Sequence, residues 1–429
     1  MNKNESIIRG GLTLDMWGRY RLQVLDATTK EVITDYGWHK NLILNTGMDS
    51  IAATNISNAS NTGVIGTGSR PNSITSSTSA ITQSGNYITL TDTSYLSSFL
   101  MPLASYTSSV NKGDVIVDQD LSQSNVLSVS ASMLTVDSDY TYTTPKTFTI
   151  WKTSQAQLQG EIHRSNTIYP GSSSLIGWRT GTVVTGSTTI TRRTWDFPAE
   201  TLTRSYNEVG TSLAITTNTP LFSRAVLPVT LSVSPNQQVR MTYDLVTSFG
   251  PTTPVYRTAS IGGWPVAPST TTNCTESIQS FLASVIDISG SVHPYQSIAA
   301  SLEPSVGSFD AGNFGSNGWG VFFSRDSASL SAFGTASNRN DTVNIANNGA
   351  LDFYASGSFT RTKTCSFPIY QYDSGIRSIG FGAYFPGNGA NPQATTHQAM
   401  CMLFDQPQSK TSTQTLTLTW RWYWNRILQ

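Results

Sequence analysis

Charge is what this sequence has least of. Asp, Glu, Lys and Arg make up 12% of its 429 residues, about half the ~25% of an ordinary soluble domain. The 26 basic and 26 acidic side chains cancel to a formal charge of zero. A chain balanced in this way exerts little pull on nucleic acid or anionic lipid, so neither nucleic acid nor a membrane is expected as a partner. It also lacks the repulsion that keeps copies apart, which makes a homo-oligomer an expectation. Cysteine is nearly absent: Cys274, Cys365 and Cys401 stand far apart, with no CxxC spacing. An odd count so dispersed is no disulfide framework, although one pair bridging the fold stays open. No apolar run approaches the roughly 18 residues of a membrane span. The opening MNKNESIIRGGLTLDMWGRY lacks a basic start followed by an apolar stretch, so no signal peptide is expected and synthesis in a cytoplasm is.

Catalytic signatures are missing too. There is no HExxH, no GxSxG and no GxxxxGK, the patterns that build zinc sites, nucleophile elbows and phosphate loops. The histidines, His39, His163, His293 and His397, show no metal-ligand spacing. Residues 312–320, GNFGSNGWG, lack the strand–turn–helix setting of a nucleotide loop and read as plain loop. Asp118 with Asp120 and Asp137 with Asp139 are the available carboxylate pairs for glycoside chemistry. Each pair reads more simply as turn or edge-strand charge. No catalytic residue, metal ligand or cofactor is assigned, and the chain is expected not to be an enzyme.

What the chain has instead is Ser, Thr, Asn and Gln for its polar surface, with apolar residues at 38% throughout. Threonine and aromatics favour strands; Ser, Asn, Gly and Pro favour turns. The expected fold is all-β: β-sandwich domains with long Ser/Thr/Gly-rich loops and one or two short helices. Tyr20, Leu22 and Val24 alternate with Arg19, Arg21 and Gln23, which predicts a strand from Gly18 to Asp26 with one apolar face. Residues 27–30 then turn into a returning strand, Glu31 to Tyr36. Asn45 or Thr46 is placed to cap a short helix with Met48 and Ile51 facing inward. Residues 69–84 read as a Ser/Thr-rich loop. The clearest β pattern lies in 187–250, with strands expected at Thr189–Phe197, Leu213–Thr216, Ala225–Val233 and Gln238–Val246, punctuated by Pro220, Pro228 and Pro235.

Residues 1–260 are expected to form a first β-sandwich domain. Residues 261–429 are expected to form a second β-rich region, with one helix over about 273–288 and a final strand that packs back on the first domain. That helix rests on the capping-box spacing of Asn273 and Glu276 and on Ile278, Phe281, Leu282 and Val285. Strands are read at Gly320–Phe323, Ile376–Phe385 and Thr413–Trp424. Trp264, Tyr295, Trp319, Tyr372 and Tyr384 stand among glycine and serine, as aromatics do where they fill a partner's pocket or stack on a sugar. Trp420, Trp422 and Trp424 share one face of the last strand, as core or as an intersubunit face. These eight are the candidate assembly or receptor contacts.

Three stretches carry a likeness to a known group. The first is GRYRLQVLDATTKEVITDYGWHKNLILNTGMDSIA followed by VIGTGSRPN. The second is RRTWDFPAETLTRSYNEVGTSLAITTNTPLFSRAVLPVTLSVSPNQQVRMTYDL. The third is the β run after Lys410 that closes on Trp424-Asn425-Arg426. Together they resemble virion proteins of tailed bacteriophages of the tail fibre, collar and neck appendage type, over about a third of the chain. The matching positions are Asn41, Leu42, Ile43, Asn45, Gly47, Asp49, Gly66 and Gly68 in the first block, and Glu208-Val209-Gly210, Leu221 to Ala225 and the Val239-to-Leu245 strand in the second.

The resemblance implies a structural component of a virion, located in the tail and working by assembly with other virion proteins. It leaves a head decoration protein as an alternative, and host attachment through a surface glycan or receptor as a further role. A tail-borne glycan depolymerase is the enzymatic rival. Read physically, Gly47, Gly66 and Gly68 should supply positive φ or close backbone approach. Glu208 and Arg224 should pair across adjacent strands or cap backbone groups, contributing about 0–1 kcal/mol if the pair is a surface one. The first two blocks should pack into one core.

Overall fold

A computed structural model describes residues 5–51, 62–68, 72–78, 83–90, 110–130, 133–142, 144–166, 187–217, 219–250, 255–258, 271–274, 318–324, 343–344, 350–351, 355–367, 376–385, 395–408 and 415–428. The chain begins with β1 (Glu5–Asp26), β2 (Val32–Ile43), helix α1 (Asn45–Ile51) and β3 (Thr62–Gly66). An inserted group follows: β4 (Ser73–Ser77), β5 (Gln83–Thr89), β6 (Val115–Asp118), β7 (Gln123–Ser130), β8 (Met133–Tyr142) and β9 (Thr147–Trp151). Next come β10 (Glu161–Ser165), β11 (Ser187–Asp196), β12 (Arg204–Ser212), β13 (Leu221–Val233) and β14 (Gln237–Gly250). The remaining strands are β15 (Val255–Thr258), β16 (Thr271–Cys274), β17 (Gly318–Ser324), β18 (Val343–Asn344), β19 (Ala350–Leu351), β20 (Thr360–Phe367), β21 (Ile376–Phe385), β22 (Thr395–Gln408) and β23 (Thr415–Arg426). The fold is all-β, with α1 as its helix among the described residues.

β1 is the spine. Its 22 residues span about 70 Å at ~3.3 Å per residue. Its second half pairs antiparallel with β14 on one edge, Tyr20 opposite Tyr243, and with β2 on the other, Gly18 opposite Asn41. Its first half pairs parallel with β23, from Glu5 opposite Thr415 to Met16 opposite Arg426. Residues 13–16 pair with β14 and β23 at once, so β23 takes over the edge that β2 leaves. One sheet therefore holds the strands of both sequence blocks together with the last strand of the chain.

Beyond β2 the sheet continues through β13, β12, β3 and β10, and beyond β14 it ends at β11. It curls until its ends approach: Ser165 Oγ of β10 donates to the Asp196 carbonyl of β11 at 3.0 Å. Tyr20, Leu22, Val24, Trp195, Val239, Met241 and Tyr243 are all buried within this near-barrel. Burying each such side chain favours folding by roughly 1.5–3 kcal/mol, set against the entropy of ordering the chain. The alternation read from Tyr20, Leu22 and Val24 thus marks the inward face, and β1 extends well before Gly18.

The inserted strands form a six-stranded sheet in the order β4-β9-β6-β7-β8-β5. Its inner face packs Ile74, Ile88, Ile116, Val126, Leu134, Val136, Phe148 and Ile150. This corrects the loop expected over 69–84, where β4 and the start of β5 lie. Ile74 and Ser76 of β4 are buried while their neighbours Thr75 and Ser77 are exposed. The alternation is real, but serine at an inward position hides it from a reading based on apolar residues. A third sheet, β15-β16-β22-β21-β17-β18, belongs to the second half of the chain.

Other expectations shift. The strand expected at Leu213–Thr216 is instead β12, Arg204–Ser212. Its sequence, RSYNEVGTS, looks polar, yet residues 208–212 are all buried because Glu208, Thr211 and Ser212 find partners inside. α1 is where the sequence placed it, with Met48 and Ile51 buried. Its N-terminal side chains do not cap it, however. Asn45 Nδ2 donates to the Gly113 carbonyl, and the Thr46 hydroxyl donates to the Leu221 carbonyl. Asn273 and Cys274 lie in β16; the rest of the helix expected to 288 falls outside the described residues. Register sets Cys274 opposite Met402, one residue out of step with Cys401, and Cys365 lies in the other sheet.

Candidate assembly interface

The clearest chemistry in the described residues is a set of carboxylates neutralised within the chain. Glu208 and Arg224, on paired strands β12 and β13, are fully buried, with side chains 0% and 1% exposed. Arg224 donates to Glu208 Oε2 from Nε at 3.1 Å and from Nη2 at 2.9 Å. Glu208 Oε1 accepts the backbone N–H groups of Gln159 at 2.6 Å and Gly160 at 3.0 Å. The pair is thus no surface bridge. It joins the near-barrel to the 158–160 segment that leads out of the inserted sheet. Burial pushes the Arg224 guanidinium below the usual arginine range, against the opposing pull of Glu208. Close packing here explains the glycines: a Cβ on Gly68 would stand 2.1 Å from Glu208 Oε1, one on Gly66 2.3 Å from the Gly160 carbonyl, and one on Gly47 2.1 Å from the Phe222 carbonyl. All three serve close approach, and none has a positive φ.

A similar pair, Lys152 with Asp114, is buried where the inserted sheet meets α1. Asp114 Oδ1 also accepts from the Ser154 hydroxyl at 2.6 Å. On the outer face of the near-barrel, Asp244 receives Arg19 Nε at 2.9 Å and Arg192 Nε at 2.7 Å. Both guanidinium groups lie over the Trp38 ring, at 4.6 and 5.0 Å, a cation–π arrangement. Near the β13–β14 turn, Glu200 collects the Tyr206 hydroxyl, His163 Nε2 at 2.8 Å and Arg204 Nε at 2.7 Å. Burial raises the Glu200 pKa, but these hydrogen bonds together outweigh it and hold the carboxyl below the usual range.

Of the carboxylate pairs singled out from sequence, Asp118 with Asp120 serves a turn, and Asp137 of β8 links to the neighbouring strand β7. Asp118 Oδ1 accepts the N–H groups of Asp120 and Ser122, and Lys146 bridges to Asp118 and Asp120. Asp137 binds Asn125. Among the described residues no group of three His, Cys, Asp or Glu side chains is placed to hold a metal ion, and no helix is long and apolar enough to cross a membrane. A cleft of about 520 Å³ lies between β6–β7 and the C-terminal residues, lined by Asp15, Gln123, Asn125, Phe359 and Asn425 among others.

The aromatic candidates divide. Trp264, Tyr295 and Tyr372 lie outside the described residues. Trp319 and Tyr384 fall on neighbouring strands, with Trp319 opposite Ala383 and Gly318 opposite Tyr384. Trp420 and Trp422 occupy β23 between β1 and β20. Trp424 is enclosed by the chain itself: it is 4% exposed and its indole N–H donates to the Met48 carbonyl at 2.8 Å. The core reading therefore holds for Trp424, and it is no surface contact of this chain.

The exposed apolar side chains, Leu121, Leu202, Ile215 and Val229 on turns and scattered strands among them, are ones the sequence did not single out as contacts. Tyr87 is 48%, Leu127 43% and Met133 36% exposed. Register brings them together on the outer face of β5, β8 and β7. Tyr87 and Ser128 both lie opposite Thr135, while Thr89 and Ser130 both lie opposite Met133. Val32 and Ile33, at the start of β2, are half exposed as well. The sequence signal for Tyr87 and Met133 was alternation against Ile88 and Leu134, whose inward role assigns their neighbours outward, whereas Leu127 sits at the register shift between Val126 and Ser128. No protein-family model matches the chain, and neither a curated protein nor a solved structure significantly similar to it was found.

Proposed function

We propose that the chain is a structural component of a bacteriophage virion, of the tail fibre, collar or neck appendage type, and that it acts by assembly with other virion proteins. The observation that supports this reading is the disposition of charge and apolar surface. The buried acids of the described framework are neutralised by bases of the same chain, as at Glu208, Asp114, Asp244 and Glu200. The outer face of β5, β8 and β7 meanwhile keeps Tyr87, Leu127 and Met133 in water. Apolar side chains on a rigid sheet favour contact with another ordered surface. The resemblance of the three sequence blocks supports a place in the particle, and the tail is the place proposed.

The test is electron microscopy of phage particles that carry the chain with a bulky label at its N-terminus. Density from the label at the tail or neck is the expected result. Label on the capsid shell would replace the reading with head decoration, and particles without label would overturn it. Replacing Tyr87, Leu127 and Met133 together by threonine should lower incorporation while leaving the melting temperature of the purified chain within a few degrees, because surface substitutions change stability by about 0.5 kcal/mol or less.

A further inference from the structure

Among the described residues, Arg193 is the charged side chain of the barrel interior that has no charged partner. It sits on β11, opposite Tyr243 and two residues before Trp195, both fully buried, and is itself 8% exposed. Among the described residues no carboxylate reaches it, and its Nε lies buried without a hydrogen-bond partner. The guanidinium is pushed below the usual arginine range by burial alone, with no neighbouring charge contributing. Every other buried base named above has an acid or a carbonyl: Arg224 has Glu208, Lys152 has Asp114, and Arg426 donates to the Ile43 carbonyl and Asn45. A buried cation without a counter-charge is unfavourable, so an anion brought to this site would be held.

The second observation is independent of the first. β11 is an edge strand. It is hydrogen-bonded to β14 alone among the described strands. β10 meets it only at its end, through Ser165 and Asp196. From Ser187 to Trp195 half of its backbone N–H and C=O groups are therefore turned toward a ladder position that no described strand fills. Such an edge is a template for a strand from another chain. In a β ladder the residue directly opposite a given side chain points to the same face, with Cβ atoms about 4.5–5.5 Å apart. A strand added along β11 would thus place one of its side chains into the barrel interior beside the Arg193 guanidinium.

We propose that β11 accepts an extended strand from a partner protein and that this strand carries a glutamate or aspartate opposite Arg193. The carboxylate would receive the guanidinium's unused N–H groups, and the main chain would complete the ladder. Among this chain's described edge strands, β4 and β5 hold no acid, and Glu161 of β10 and Asp196 of β11 are already paired with Arg164 and Arg240, which favours a different chain as donor over a second copy. The proposal rests on the reading of the chain as an assembly protein. The particle-imaging experiment can succeed while the experiment below fails, so the two are separable.

The test uses the full chain and eight-residue peptides of alternating threonine and valine bearing one central inward glutamate, with a matched glutamine peptide as control. Binding is read by fluorescence polarisation and located by hydrogen–deuterium exchange. The glutamate peptide should bind at least about tenfold more tightly than the glutamine peptide, as expected for a buried charge finding its partner. It should protect amides within 187–195. Arg193→Met should abolish that preference and raise the melting temperature of the isolated chain by a few degrees, because it removes an unpaired buried charge. Equal binding of the two peptides, no binding, or protection elsewhere overturns the proposal. An Arg193→Met chain that melts lower or fails to fold overturns it too, since that would show a partner already present. Acetate that competes with the peptide and stabilises the chain equally would assign the site to a free anion and overturn the strand.

Discussion

Replacing Glu208 by alanine should be among the most damaging single changes in this chain, and the structure says by how much. The substitution strands a guanidinium that is 1% exposed. It also leaves the Gln159 and Gly160 N–H groups without their acceptor. Breaking a buried pair from one side costs about 3–5 kcal/mol, and an orphaned buried donor about 1–3 kcal/mol. Water entering the space left by the side chain relieves part of this, so about 4 kcal/mol is expected. That corresponds to roughly a thousandfold in an opening equilibrium. The double variant Glu208→Leu with Arg224→Met removes both charges and should recover most of the loss, to within about 1–2 kcal/mol of the parent. Hydrogen exchange at the β3 and β12 amides reads the opening locally, without assuming that all 429 residues unfold in one step. A single replacement costing less than about 1 kcal/mol would show that Glu208 acts as an ordinary surface acid. A double variant as unstable as the single one would show that shape, and not charge, holds the 158–160 segment.

The Glu200 carboxyl, held low in the folded chain from its ordinary value of 4.5, gives a signed pH dependence. Its contribution is present above the unfolded value and is lost as pH falls through the lower folded value. Acid titration of stability should therefore flatten below pH 4.5 in Glu200→Gln, whereas an unchanged acid limb would remove Glu200 as a cause. Trp424→Phe should cost about 1 kcal/mol, for the bond to the Met48 carbonyl, and Trp424→Ala about 3–5 kcal/mol. Equal losses in thermal melts of the two variants would mean that the ring itself contributes little. Gly66→Ala would set a Cβ 2.3 Å from the Gly160 carbonyl. It should cost about 1–3 kcal/mol and speed exchange in β10, and normal protection there would contradict the close approach.

The parts of the fold that were legible from sequence are those where one side chain in two is apolar. Tyr20, Leu22 and Val24, and Val239, Met241, Tyr243 and Leu245, show this pattern, and their strands were found. Where small polar residues point inward the pattern disappears, as in Ser76 of β4 or Thr211 of β12. The Glu208–Arg224 pairing was legible from position, but its burial was not, because burial depends on the 158–160 segment arriving from the far side of the inserted sheet. The aromatic candidates were chosen for their local surroundings. Trp424 shows why that fails: a helix nearly 380 residues earlier supplies its hydrogen-bond acceptor.

Composition and alternation by themselves determined the class of this protein. Strand-forming side chains with few charges can reach a low free energy only by stacking into sheets, and that requirement is local and repeats along the chain. Which edges stay open, which acids are neutralised and which arginine is left waiting were decided only in three dimensions. These depend on the register of strands far apart in sequence, and on the low dielectric of an interior that exists only once the sheet has curled.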